Sequence, residues 1–92
     1  MAEPFPETIP LLAAWRGALT TENAEAGFGK IREITGTTLT DEELAAAIAA
    51  CLARKEIFEP VRLPEGALQC HWTLELTPAG VAATRTLLTS RI

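Results

Sequence analysis

The chain has 92 residues, 48% of them hydrophobic and 22% charged, and a formal net charge of −4. That composition suits one globular domain spanning 1–92 and excludes a disordered tail, while the lack of any apolar run near about 18 residues excludes a helical membrane span. Residues 1–46 carry three basic against eight acidic side chains, and residues 47–92 five against four, which leaves no basic footprint for non-specific nucleic-acid binding.

Pro4, Pro6 and Pro10 predict an extended arm over residues 1–8. Met1 to Glu7 lacks a basic region followed by an apolar one, so no signal peptide and a cytoplasmic location are expected. A first helix is expected over about Ile9 to Ala18, capped by Thr8, with Leu11, Leu12, Trp15 and Leu19 as its apolar stripe. Thr20-Thr21-Glu22-Asn23 reads as a polar break with capping residues. A second helix follows to about Thr35, with Ala24, Phe28, Ile31 and Thr35 on one face and Ile34 beside them. Gly27 and Gly29 each weaken it by roughly 1 kcal/mol relative to Ala. Gly36 fits the left-handed position after its last turn.

Thr40 and Glu43 have the spacing of a capping box. The third helix is expected to run to about Lys55, burying Leu44, Ile48, Cys51 and Leu52 with the stem of Lys55. The period then changes from 3.6 to 2. Ile57, Glu59, Val61 and Leu63 alternate with Phe58, Pro60 and Arg62, Pro64-Glu65-Gly66 is turn chemistry, and Leu68, Cys70, Trp72, Leu74 and Leu76 alternate with Gln69, His71, Thr73 and Glu75. This is one antiparallel hairpin. Pro60 puts its first strand at an edge or a bulge. Thr77 and Pro78 start a last helix with Val81, Thr84, Leu87 and Leu88 along one side and Ile92 closing it.

Little in the chain supports catalysis, and no enzyme is expected. His71 and Cys70 fall on opposite faces of their strand, and two Cys with one His do not complete a tetrahedral metal site. Cys51 and Cys70 read as core. Gly27-Phe28-Gly29-Lys30 lacks the glycine spacing, the hydroxyl after Lys and the preceding strand of a phosphate loop. Neither a cofactor nor a metal is expected.

Three helices, a two-stranded wing and a C-terminal helix beginning LTPAG (Leu76 to Gly80) resemble a winged helix-turn-helix domain over about Thr8 to Leu88. WTLELTPAG, Trp72 to Gly80, is similar to the end of the second wing strand in MarR-like and PadR-like regulators. LTDEELAAAIAACLARKEI, Leu39 to Ile57, resembles a recognition helix passing into the first wing strand. The link from Gly36 to Leu44 is longer than usual, and Lys55-Glu56 stands where many relatives carry Gly.

The fold class expected is therefore mainly α with a small β-hairpin. The resemblance implies a transcriptional-regulator-like DNA-binding protein, expected as a dimer because two copies double the phosphate contacts. The candidates for DNA contact are Lys30, Arg32, Arg54, Lys55, Arg62, Gln69 and His71, with Arg85 a further cation. A second reading competes with it: a winged-helix protein-interaction module that does not bind DNA and uses the outer face of the third helix or the terminal helix as its contact surface. Ala46, Ala49, Ala50 and Ala53 make a flat strip on the outer face of the third helix, either solvated or packed on a helix of a protein partner or second copy. Asp41, Glu42 and Glu43 complement the helix dipole and would oppose phosphates.

Overall fold

A computed structural model describes residues 6–62 and 71–89, with the backbone alone described at Arg62. The elements in chain order are α1 (Thr8–Ala13), β1 (Leu19–Thr21), α2 (Ala24–Thr35), α3 (Asp41–Ala53), β2 (Val61–Arg62), β3 (His71–Leu74) and α4 (Pro78–Thr89). Among the described residues four helices accompany one antiparallel sheet of order β1-β3-β2; α2 packs on β1 and β3, and α1 packs on the other three helices. No described helix is long and apolar enough to cross a membrane. Residues 1–5 of the arm expected over 1–8, the turn at 63–66, Leu68, Gln69, Cys70 and Ile92 lie outside the described residues; the rest of that arm is not extended, since Pro6 and Glu7 form a turn that leads into α1 at Thr8.

The first helix is shorter than its apolar spacing predicts. It stops at Ala13, and its N-cap is Glu7, which makes no side-chain cap bond. Thr8 is its first helical residue, not its cap. Ala14 N–H still donates to Pro10 O at 3.1 Å and Gly17 N–H to Ala14 O at 3.2 Å, so the chain tightens into turns. Gly17 then adopts φ +153° and turns it away. The cause lies in the next element. Leu19, Thr20 and Thr21 pair with Leu74, Thr73 and Trp72, so a third strand occupies residues that local spacing assigned to a helix end and a polar break. Thr20 and Thr73 also bring their hydroxyls to 3.3 Å across the strands. Three residues are too few to show a period of two.

α2 and α3 begin and end as their capping residues require. Asn23 Oδ1 accepts from Ala26 N–H at 2.9 Å, and Gly36 closes α2 at φ 71°. Thr40 Oγ1 accepts from Glu43 N–H at 3.2 Å while Glu43 Oε1 accepts from Thr40 N–H at 2.9 Å, a complete capping box. α3 buries Leu44, Ala47, Ile48 and Cys51. Lys55 does not add its stem to this stripe. It is exposed beyond the helix end and holds φ 61°, a left-handed conformation that glycine adopts without cost.

The hairpin keeps one register from Ile57 opposite Leu76 to Arg62 opposite His71. Phe58 N–H donates to Glu75 O at 3.0 Å and Thr73 N–H to Pro60 O at 2.8 Å. Pro60 has no N–H, so it accepts only, and β2 lies at the sheet edge as its proline predicts. Strict alternation fails along both strands: Glu59 is exposed on the face of Ile57, and Pro60 is buried on the opposite face. Val61 stays 58% exposed because it sits on that edge, and Thr73 is buried because β3 is the central strand, flanked by Thr20 and Pro60.

The core is one cluster, with Ile31, Leu44, Cys51, Ile57, Trp72 and Leu74 at its centre. Trp72 meets the Phe28 ring edge-to-face, with centroids 6.1 Å apart. α4 starts on Thr77, whose Oγ1 accepts from Gly80 N–H at 3.1 Å and donates to Lys55 O at 2.6 Å. Thr84 is fully buried and returns its hydroxyl to Gly80 O at 2.8 Å. Val81, Leu87 and Leu88 are half-buried.

The two glycines of α2 differ. A Cβ at Gly29 would meet nothing within 4 Å, whereas one at Gly27 would strike Trp72. Gly29→Ala should therefore recover the helix propensity and stabilise the domain by up to about 1 kcal/mol. A rise in the urea midpoint at unchanged slope checks this, and a fall would mean that Gly29 faces something the fold does not show.

Candidate interaction surface

The outer face of α3 is built from very short side chains. Ala45, Ala46, Ala49 and Ala53 are exposed and Ala50 is half-buried. Ala46, Ala47 and Ala50 border a groove of about 310 Å³ together with Pro6, Glu7 and Glu43. From Asp41 to Ala53 the helix has no Arg, Lys, Asn, Gln, Ser or Thr. Its first-turn acids are mostly in use. Asp41 pairs with the Arg32 guanidinium, and Glu43 closes the capping box, which leaves Glu42 facing solvent.

Two of the cations expected to meet phosphate have structural partners. Arg32 donates from Nε to Leu39 O at 2.9 Å and pairs with Asp41, so it ties the end of α2 to the start of α3. Arg54 donates from Nε to Glu56 Oε1 at 2.9 Å, and its Nη1 lies 3.9 Å from Glu7 Oε1. The hydrogen bond to Glu56 raises the guanidinium's pKa further above its usual value. Arg54 thereby joins the end of α3 to the start of α1. Each pair includes exposed atoms, so each is a modest stabiliser, but each holds its arginine in place.

The remaining cations are dispersed over different elements. Lys30 is exposed on α2, 4.0 Å from Glu33. Lys55 is exposed after α3, Arg85 is exposed on α4, and His71 is exposed on β3 opposite Arg62. The side chain of Arg62 and the whole of Gln69 lie outside the described residues.

Cys51 is buried, as expected, and donates from Sγ to Glu7 O at 3.1 Å. Burial pushes its thiol up to about 11 against the lowering influence of Arg54, which suits a structural cysteine and not a nucleophile. No group of three or more His, Cys, Asp or Glu that could hold a metal ion occurs among the described residues.

One feature escapes the periodicity. Trp15 and Ile34, both read as members of apolar helix faces, border an open cleft of about 580 Å³ with Leu12, Arg16 and Leu19. Ile34 is 52% exposed. The early end of α1 creates this cleft, and only the unpredicted β1 signals that end. Comparison with protein-family models, curated proteins and solved structures found no match.

Proposed function

We propose that the chain is a winged-helix domain that recognises a protein, with the outer face of α3 as its contact surface. The order helix, strand, helix, helix, strand, strand, helix, with β3 central, supports the winged-helix part of the reading. In such a domain α2 and α3 form the helix-turn-helix, and α3 is the helix offered to the target. The observation that carries the protein reading is the composition of α3. Base edges are read by donors and acceptors on long or hydroxylated side chains, and this helix has alanines and carboxylates outward. The same alanines allow a second helix to approach closely. The net charge of −4 and the internal pairing of Arg32 and Arg54 weigh the same way.

Two measurements test the reading. Mixed-sequence duplex DNA, titrated by fluorescence anisotropy at low salt, is expected not to bind at about 100 μM protein. Micromolar binding that collapses with added salt would overturn the reading in favour of DNA. Sedimentation of the unaltered chain and of Ala49→Arg then examines the α3 face. Ala49 is exposed, so the variant should keep its circular dichroism while losing self-association. Assembly that survives the substitution would clear α3 of this role.

A further inference from the structure

The cleft of about 580 Å³ lies between the end of α1, the turn into β1 and the last turn of α2. It shares no residue with the outer face of α3. Leu12, Trp15, Ala18, Leu19 and Ile34 give it apolar walls, and Arg16 adds one cation. Its volume falls in the roughly 300–1,000 Å³ span of small-ligand sites, and it is an open cleft that exposes polar as well as apolar surface.

Two hydrogen-bond donors here have no partner among the described residues. Arg16 is exposed and forms no ion pair among the described residues, unlike Arg32 and Arg54. The indole N–H of Trp15 has no acceptor among them either. Ile34, 52% exposed, and the half-buried Trp15 leave apolar surface in water beside these donors. A ligand that satisfies both features must be apolar at one end and anionic at the other. A single guanidinium matches a single carboxylate, which it can hold through two parallel hydrogen bonds. A nucleotide would bring more negative charge than one arginine can match.

We propose that this cleft binds a small amphipathic carboxylate, its aliphatic chain lying against Leu12, Trp15 and Ile34 and its carboxylate on Arg16. Binding removes the apolar walls from water and gives the free guanidinium its counter-charge. The site is separate from the surface proposed above and stands or falls without it.

Octanoate titration followed by two-dimensional ¹H–¹⁵N NMR tests this, because the two indole N–H signals report separately. Trp15 lies in the cleft, and Trp72, 5% exposed in the core, is the internal control. Octanoate should produce a saturable shift at Trp15 with little change at Trp72. The dissociation constant should fall about two- to fourfold per methylene from hexanoate to decanoate. Octanol, with the same chain and no charge, should bind about tenfold more weakly or worse. Arg16→Gln should remove that difference by weakening octanoate alone. The proposal is overturned by a Trp15 shift that does not saturate, by equal binding of octanol and octanoate to the unaltered chain, or by octanoate binding that Arg16→Gln leaves unchanged.

Discussion

Replacing Gly80 by alanine is expected to lower the unfolding free energy by about 2–4 kcal/mol, a larger loss than at Gly27 or Gly29 of α2. A Cβ at this position would lie 1.9 Å from the carbonyl oxygen of Glu56 and 2.9 Å from its carbonyl carbon. Both are backbone atoms, so no rotamer change relieves the overlap. The start of α4 must move away from the segment that follows α3. That movement strains two bonds holding the junction, Thr77 N–H to Glu56 O at 3.0 Å and Thr77 Oγ1 to Lys55 O at 2.6 Å. Overpacking costs about 1–3 kcal/mol, and each weakened hydrogen bond up to about 1 kcal/mol more. Alanine returns about 1 kcal/mol through helix propensity, too little to reverse the sign. A domain of this size is stable by about 5–10 kcal/mol, so a large fraction is lost. Urea denaturation and thermal melting read the change directly, and a loss below about 1 kcal/mol would mean that the start of α4 moves away from Glu56 without losing these bonds.

Gly27→Ala should cost about 1–3 kcal/mol, for a related reason with a softer obstacle. The added Cβ would lie 2.3 Å from Cε3 and Cζ3 of Trp72 and 2.8 Å from Cη2. A side chain can tilt where a carbonyl cannot. Trp72 has little room to do so, being 5% exposed and held edge-to-face by Phe28. The helix-propensity gain of about 1 kcal/mol again opposes the loss without cancelling it. A double-mutant cycle isolates the contact. In a Trp72→Leu background the smaller side chain leaves space, so Gly27→Ala should become neutral or stabilising there. An unchanged cost in that background would exclude the indole as its source.

The two glycines also mark a boundary in what local sequence can say. Gly27 and Gly29 look alike in the sequence, each a weak point in a helix. Only the approach of β3 to α2 separates them, because Trp72 lies 45 positions further along the chain. Gly80 is similar. LTPAG is readable as a helix start, with Thr77 as cap and Pro78 at the first helical position, yet the need for its glycine comes from Glu56.

The candidate site divides in the same way. The donor-poor composition of α3 is visible from Asp41 to Ala53, and with it the case for a protein target. The commitment of Arg32 to Leu39 and Asp41, and of Arg54 to Glu56 and Glu7, is not visible. An arginine has the same formal charge whether or not a partner holds it, and composition counts charge without position.

By itself, the sequence determined the helix boundaries that rest on adjacent residues: Asn23 and Gly36 around α2, Thr40 with Glu43 before α3, and Thr77 with Pro78 before α4. It also put the strand around Pro60 at an edge or a bulge, and the sheet order makes it an edge. Those outcomes depend on bonds within about four residues or on the missing N–H of proline, so a short window contains their causes. Tertiary structure decided the rest. It ended α1 at Ala13, drew Leu19 to Thr21 into the sheet against Leu74 to Trp72, and opened the cleft beside Trp15. A three-residue strand has no stability alone and exists because β3 supplies its hydrogen bonds, so its cause lies more than 50 residues away from it in the chain.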